Sequence, residues 1–504
     1  MVDVLVVGFV VAFIISVMGV GLYSQRLIES SDQYYGATKL FGAAVITLAS
    51  MSGIMSAFGF VGGPGLVYSM GTSSLWMTFA AGIGFAMAYW VIGKRVRGMA
   101  DVADIGTLGD VVDVRFNSGA IRGLLALTIF MACWAYLASQ VAGGGYVLAE
   151  LLGVSVEVAV WLVFGLMILY ITVGGMASAQ LAGAYTGAVM MIGVAGVVFG
   201  FFQVATGMEN LTVTVASAGE VTAGDVTKAF TPQLLDGWGL AKDSSPGLLL
   251  IWPIAFSIGV MGQPQVLQRM FSIDDPEGLR TVGLISGATY AVGSLLWMLI
   301  GFVALFMVAN GDVAAFANPD LAVFQFVNRL HIVLQMIIYA GLVAAIMSTA
   351  GFFMSLASGA IARDLTRALG IDLSDSSETW VGRATVIVIG VGSVLFGLYG
   401  GELVAILGSF GWGTFMSGTL PAVIIGLLWQ GASREGVTAG LVVSIVLNVA
   451  LLAYTQLGNT LPLGMDFYFV TTSSAIVTTI FVSLVTNGAS GENVPEHVKP
   501  VFDL

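Results

Sequence analysis

The stretch LFGAAVITLASMSGIMSAFGFVGGPGLVY, residues 40–68, is apolar over a length that suits a membrane crossing. It nevertheless holds Ser52-Gly53-Ile54-Met55-Ser56 at its centre and Gly62-Gly63-Pro64-Gly65 near its end. Glycine inside a helix costs about 1 kcal/mol relative to alanine and proline about 3 kcal/mol, and proline also removes a backbone donor. An unbroken helix is therefore not expected here. At membrane depth a break leaves N–H and C=O groups without partners, which is tolerated where they line a cavity or hold an ion. A second segment, near 247–268, repeats the feature with Gly259, Gly262 and Pro264.

The rest of the chain supports a membrane setting. Of its 504 residues 58% are hydrophobic and 9% charged, against about 25% charged in soluble globular domains. Hydrocarbon offers the backbone no hydrogen-bond partners, so apolar runs of about 20 residues read as spanning helices. We expect an all-α integral membrane protein of the plasma membrane, multi-pass, with about 13 transmembrane helices. They lie near 2–23, 40–68, 72–93, 121–149, 155–173, 181–206, 247–268, 281–309, 332–362, 384–400, 403–429, 436–456 and 467–486. The first lacks a basic flank and a small-residue cleavage site, and so reads as a retained helix. Of 17 Lys and Arg residues only Lys228, Lys242 and Arg329 fall in external loops; the others, among them Arg97, Arg115, Arg122, Arg269 and Arg363, fall in cytoplasmic ones. This bias places the N-terminus outside and the C-terminus in the cytoplasm.

The two broken segments stand five spans apart, as expected for inverted repeats of five helices. The chain then divides into an extra N-terminal helix and first cytoplasmic loop (1–39), a first five-helix repeat (40–206), an external loop (207–246), a second five-helix repeat (247–430), and two additional C-terminal helices with a short tail (431–504). The external loop is polar and reads as a solvated linker. Several chemistries are excluded. A single cysteine, Cys133, cannot form an intrachain disulfide, and His331 and His497 are too far apart in sequence to suggest a metal cluster. No span carries a nucleophile with a base, so neither an enzyme nor an enzymatic cofactor is expected. The net charge of −12 argues against nucleic acid as a partner.

The ninth segment carries Ala344-Ala345-Ile346-Met347-Ser348-Thr349-Ala350, followed by Ser355, Ser358 and the stop Arg363-Asp364-Leu365. A sodium ion takes about five or six oxygen ligands from carbonyls and hydroxyls, by extension from the oxygen preference of other hard cations. Ser348 and Thr349 offer two hydroxyls, and Ala345 a carbonyl one turn earlier. Hydroxyls within a helix also bond back to the carbonyl four residues earlier, so the motif alone admits a structural reading too.

These residues, with Gly262-Gln263-Pro264, Gly174-Gly175-Met176 and the break in the second segment, resemble the sodium/solute symporter family, which includes proline, sugar and monocarboxylate symporters. The resemblance runs through nearly the whole chain, in order and in spacing. It implies a LeuT-like 5+5 inverted-repeat core. The expected function is secondary active transport, with Na+ as the coupling ion for symport of a small organic solute into the cell by alternating access. The solute would be a monocarboxylate or an amino acid such as proline. The resemblance further implies a sodium site made of the Ser52 and Met55 carbonyls, the Ala345 carbonyl, and the hydroxyls of Ser348 and Thr349. Some members hold a second sodium with an acidic residue about eight positions after a Gly-Gly-Leu/Met motif. Residues 175–183 contain no carboxylate, so one ion per cycle is expected.

By similarity the solute pocket is lined by Ser56 and Phe58, by Tyr136 and Gln140, and by Phe256, Val260 and Gln263. Rings would enclose an apolar body, while Tyr136, Gln140, Ser56 and freed N–H groups would hold a polar head. Proline symporters of the family carry tryptophan in place of Phe58 and Phe256 and tyrosine in place of Val260. The Leu-Pro-His element of monocarboxylate carriers reads Gln263-Pro264-Gln265 here. Neither subgroup is secured by these residues. Two other readings stay open: a solute sensor with the same membrane domain, and a proton-coupled transporter of the same fold.

Overall fold

The computed structural model describes residues 3–205, 207–236, 255–400, 404–462, 465–486 and 494–504; the side chains of Phe58 and of 404–407 lie outside that description. The chain is predominantly helical, and among the described residues ten helices are long and apolar enough to cross a membrane.

In chain order the first half holds α1 (Val4–Ser24), α2 (Ser31–Gly36), α3 (Ala43–Ser52), α4 (Gly63–Met70), α5 (Leu75–Val91), α6 (Gly93–Val102), α7 (Leu108–Phe116), α8 (Gly119–Leu152), α9 (Val156–Val204) and α10 (Met208–Ser217). A two-stranded hairpin follows, β1 (Glu220–Ala223) and β2 (Val226–Ala229), antiparallel with Glu220 opposite Ala229. The second half holds α11 (Pro264–Ser272), α12 (Leu279–Ala309), α13 (Ala322–Val327), α14 (Ile332–Gly359), α15 (Asp375–Tyr399), α16 (Val404–Thr419), α17 (Arg434–Gln456) and α18 (Phe467–Val485).

The quoted stretch breaks where its glycines and proline stand. Helix α3 stops at Ser52, residues 53–56 are non-helical, and a π-helical turn at Phe58–Gly62 leads into α4 with Pro64 in its first turn. The second broken segment is helical over 255–261, turns at Gly262, and restarts as α11 after Gln263, whose backbone is extended at φ −83°, ψ 118°. A short parallel bridge between Phe41 and Ile273 ties the start of one broken segment to the end of the other.

Ten apolar helices stand against about thirteen expected spans, and the difference has physical sources. Each broken segment divides one crossing into short pieces, and part of 247–268 lies outside the described residues. Helix α9 is 49 residues long, about 73 Å at 1.5 Å per residue, more than twice a hydrocarbon core of about 30 Å. It is not straight: Gly175 takes φ 49°, ψ −138° and divides it. A Cβ at Gly175 would stand 2.5 Å from the Tyr34 carbonyl oxygen, so both the positive φ and the close approach require glycine there.

The loop expected as a solvated linker is partly ordered and docked. Besides α10 and the hairpin, Lys228 donates from Nζ to the Tyr68 carbonyl on α4 at 2.6 Å and sits over the Tyr68 ring at 4.6 Å. Several arginines expected in cytoplasmic loops are instead buried: Arg97, Arg115, Arg122, Arg269 and Arg363 are each no more than 4% exposed. Four of them lie at one end of the bundle in hydrogen-bonded or ion-paired settings. Arg97 donates to the Ile273 carbonyl, Arg115 to the Gly426 carbonyl, and Arg122 and Arg363 pair with carboxylates.

Candidate cation and solute site

Helix α14 packs along α9, α8 and α3, bringing its hydroxyl stripe against the first break. Ser348 donates from Oγ toward the Ser52 carbonyl at 3.0 Å and toward the Ala345 carbonyl, one turn earlier on its own helix, at 3.2 Å. The Thr349 side chain is wholly buried, and its hydroxyl has no hydrogen-bond partner among the described residues. A buried hydroxyl without a partner costs about 1–3 kcal/mol. The Met55 carbonyl follows in the non-helical 53–56 turn, where no backbone N–H of a described residue reaches it. Ser52 uses its own hydroxyl elsewhere, donating to the Ala49 and Gly183 carbonyls at 3.0 and 2.8 Å, and this ties the break to α9. The Ser348 hydroxyl and the Ser52 and Ala345 carbonyls thus meet where α3 ends against α14, and oxygens of these kinds suit a hard monovalent cation.

Beside this cluster the Tyr136 and Ser56 hydroxyls stand 3.1 Å apart, and the Ala57 N–H donates to Gln140 Oε1 at 2.8 Å. Gln140 also donates to Ser139 Oγ at 3.2 Å. The Tyr136 ring lies 4.8 Å from Phe353 and 6.4 Å from Phe415, centroid to centroid. Ser56, Tyr136 and Gln140 are therefore brought together at the break. Phe256 and Gln263 form a neighbouring group around Trp412: the rings of Phe256 and Trp412 are 5.5 Å apart, and Gln263 donates to the Gly259 and Trp412 carbonyls, each at 3.2 Å. Val260 accepts at its carbonyl from the Gln263 N–H at 3.1 Å, while its Cβ packs against α5, where a Cβ on Gly84 would lie 2.8 Å away. The side chain of Phe58 lies outside the described residues.

Trp412 was not among the residues that the sequence suggested. It is 4% exposed, and its Nε1 has no hydrogen-bond partner among the described residues. Its position follows from α16 packing on α8: a Cβ at the preceding Gly411 would lie 2.8 Å from Tyr136 Cβ. A tryptophan between two glycines, Gly411 and Gly413, is the local signal that marks it.

At one end of the bundle a buried charge network joins α2, α7, α8, α14 with its π-helical extension Ala360–Leu365, and α15. Arg122 pairs with Asp110 and, at 3.0 Å, with Asp364; Arg363 pairs with Asp32 at 2.6 Å and Asp110 at 2.8 Å; Arg367 pairs with Glu378 at 3.0 Å. Burial pushes the Asp110 carboxyl up, but the Arg363 and Arg122 guanidinium groups and the Gly106 N–H overcome this and hold it below the usual carboxylate range.

The family model of the sodium:solute symporter family matches residues 34–444 of this chain. The chain belongs to the sodium:solute symporter family. It is accordingly a multi-pass plasma-membrane protein, and its function is sodium-coupled symport of a solute. Its similarity to characterised relatives is distant but long. It is 26% identical over 440 residues to the osmoregulated proline transporter OpuE of Bacillus subtilis (strain 168), covering 86% of this chain and 85% of the relative. It is 24% identical over 466 residues to the sodium/proline symporter of Escherichia coli (strain K12), covering 88% and 87%. To the sodium/pantothenate symporter of the same organism it is 24% identical over 453 residues, covering 88% and 89%. Among solved structures, a Na+-coupled sialic acid symporter in a substrate-bound outward-open state superposes with a TM-score of 0.75 at 16% identity, covering 96% of this chain and 98% of that one. The symporter fold is therefore shared where little sequence is.

Proposed function

We propose that this symporter couples one sodium ion to the inward movement of a small carboxylate-bearing solute, a monocarboxylate or an amino acid such as proline. The observation that carries the sodium assignment is the pair of hydroxyls on α14: Ser348 Oγ bridging toward the Ser52 and Ala345 carbonyls, and Thr349 Oγ buried with no partner. Sodium at this point takes the Ser52, Met55 and Ala345 carbonyls and both hydroxyls as ligands. It supplies the missing partner of Thr349 and binds the broken segment to α14. A solute bound at Ser56, Tyr136, Gln140, Phe256 and Gln263 borders the same break, so each ligand raises the other's affinity, as linkage requires.

The solute class follows from the mixture of groups. Phe256, Phe353, Phe415 and Trp412 offer ring faces, while Tyr136, Gln140 and Trp412 Nε1 offer few polar contacts, which suits one polar head better than a polyhydroxylated sugar. Proline, pantothenate and sialic acid, named for the relatives above, all bear a carboxylate. The architecture we assign is thirteen crossings with the N-terminus outside and the C-terminus cytoplasmic, built on LeuT-like inverted repeats at 40–206 and 247–430. In support, the two breaks are five segments apart and Gly175 splits α9.

The test is accumulation of labelled L-proline, other amino acids, acetate, pyruvate, L-lactate, pantothenate and D-glucose in proteoliposomes, with and without an inward sodium gradient. Sodium-driven accumulation of one carboxylate-bearing solute is the expected result. Accumulation of glucose, or accumulation that follows a proton gradient alone, overturns the proposal; binding without accumulation assigns the chain to the sensor reading.

A further inference from the structure

Arg269, on the second turn of α11, is wholly buried. Its guanidinium lies over the Phe352 ring at 4.1 Å, donates from Nε to Gln180 Oε1 at 3.1 Å and from Nη1 to the Gln265 carbonyl at 2.7 Å. Nη2 has no acceptor among the described residues. Gly53, in the first break, is pressed directly against both Nη atoms, so any larger residue there would displace them. No carboxylate of a described residue pairs with Arg269. An arginine at this depth without a counter-charge is expensive to keep and marks an ion or substrate pathway by default.

The residue one turn earlier on the same helix face supplies a second unmatched atom. Gln263 donates its amide to two carbonyls, so its Oε1 must face Gln265, and Gln265 Nε2 donates to it at 3.1 Å. That fixes the Gln265 amide and leaves its Oε1 buried without a donor. Residues four apart on a helix are neighbours. One orphan acceptor, on the residue hydrogen-bonded to Gln263, and one orphan donor, on a cation about 9 Å along α11 from Gln263 at 1.5 Å per residue, therefore stand on one face of this helix.

We propose that Arg269 and Gln265 form a second solute site on α11, adjoining the central group at Gln263, which takes an α-amino or α-hydroxy carboxylate. The carboxylate binds Arg269 Nη2, and the adjacent N–H or O–H donates to Gln265 Oε1. This rests on the symport reading above, and makes α11 the face along which the solute leaves the central group. A simple carboxylate such as acetate satisfies only one of the two atoms.

Uptake of L-proline, L-lactate, acetate and D-glucose into proteoliposomes by the wild type, R269Q, R269K and Q265L tests the proposal. Sodium-induced thermal stabilisation of each variant checks that it is folded; if R269Q is not, R269K, which keeps the charge but not the planar fork, carries the comparison. For whichever of proline or lactate is carried, R269Q lowers maximal rate about tenfold or more while KM and half-saturating sodium stay within about twofold. Q265L lowers the rate of proline or lactate but not of acetate. An unchanged rate in folded R269Q, or an unchanged rate of the carried α-amino or α-hydroxy carboxylate in Q265L, overturns the site. A wild-type chloride dependence that R269Q abolishes assigns the orphan donor to chloride and overturns it as well. Failure of the symport reading would show separately, as wild-type protein that accumulates none of the four probes.

Discussion

Ser348 Oγ and the Ser52 carbonyl oxygen meet at 3.0 Å although 296 residues separate them in sequence. The contact links the end of α3, where the broken segment loses its helix, to the middle of α14. No helix ladder satisfies a carbonyl at such a break, so whatever binds there sets how firmly the two halves are joined. Removing one oxygen from a cation's shell should cost about 1.5–3 kcal/mol, the range for contacts to charged groups, or roughly 10- to 100-fold in affinity. Ser348→Ala and Thr349→Ala are each expected to raise the sodium concentration for half-maximal uptake by about that factor with membrane expression intact. An unchanged sodium dependence in both variants would remove the assignment.

Trp412 provides a separate handle on the solute. Its Nε1 is buried and has no partner among the described residues, while its ring packs with Phe256. Trp412→Phe keeps most of the ring and deletes the donor. We expect KM for the carried solute to rise about tenfold, with half-saturating sodium measured without solute unchanged. A shift in the sodium value instead would place Trp412 in the cation site's support.

The breaks and the hydroxyl stripe were legible in the sequence because their signals are local. Gly53, Gly62, Pro64 and Pro264 each disfavour a helix whatever surrounds them, and Ser348-Thr349 sit one turn after Ala345 by helical period alone. Trp412 was not legible, because it joins the site only when α16 docks on α8 through Gly411. The packing of Val260 was not legible for the same kind of reason: residues 255–261 approach Gly84 on α5, and no local pattern encodes that contact. Arg269 read as a loop residue because a lone arginine at the end of an apolar run resembles a stop signal. Its burial depends on the small surface of Gly53 and on Gln180, both distant in sequence.

The docked hairpin makes a pH dependence that can be given a sign. Burial against Tyr68 pushes the Lys228 ammonium down to about 8, from an ordinary value of 10.5. Docking therefore disfavours the charged form. The penalty is fully present below about pH 8 and is relieved as pH rises toward 10.5, where the undocked lysine also loses its proton. A fluorophore on the β1–β2 turn should report tighter docking from pH 8 to 10, and Lys228→Met should make docking insensitive to pH over that interval. A wild-type hairpin that loosens with rising pH would contradict the burial argument.

In the buried charge network Asp110 neutralises Arg122 and Arg363 together, and its loss would leave two buried guanidinium groups short of a counter-charge. Breaking a buried pair from one side costs about 3–5 kcal/mol, so Asp110→Asn is expected to lower thermal stability sharply at neutral pH. Asp113 serves as the control. It pairs with Arg122 at 3.1 Å from a side chain 36% exposed, where a pair contributes about 0–1 kcal/mol. Because the Asp110 carboxyl is held below its ordinary value of 3.8, its contribution is fully present above that value and is lost as pH falls through the folded one. Melting curves should show the wild type losing stability below about pH 4, and Asp110→Asn losing less over the same window. Equal acid sensitivity of the two proteins would mean that another carboxylate of the network, not Asp110, controls this end of the bundle.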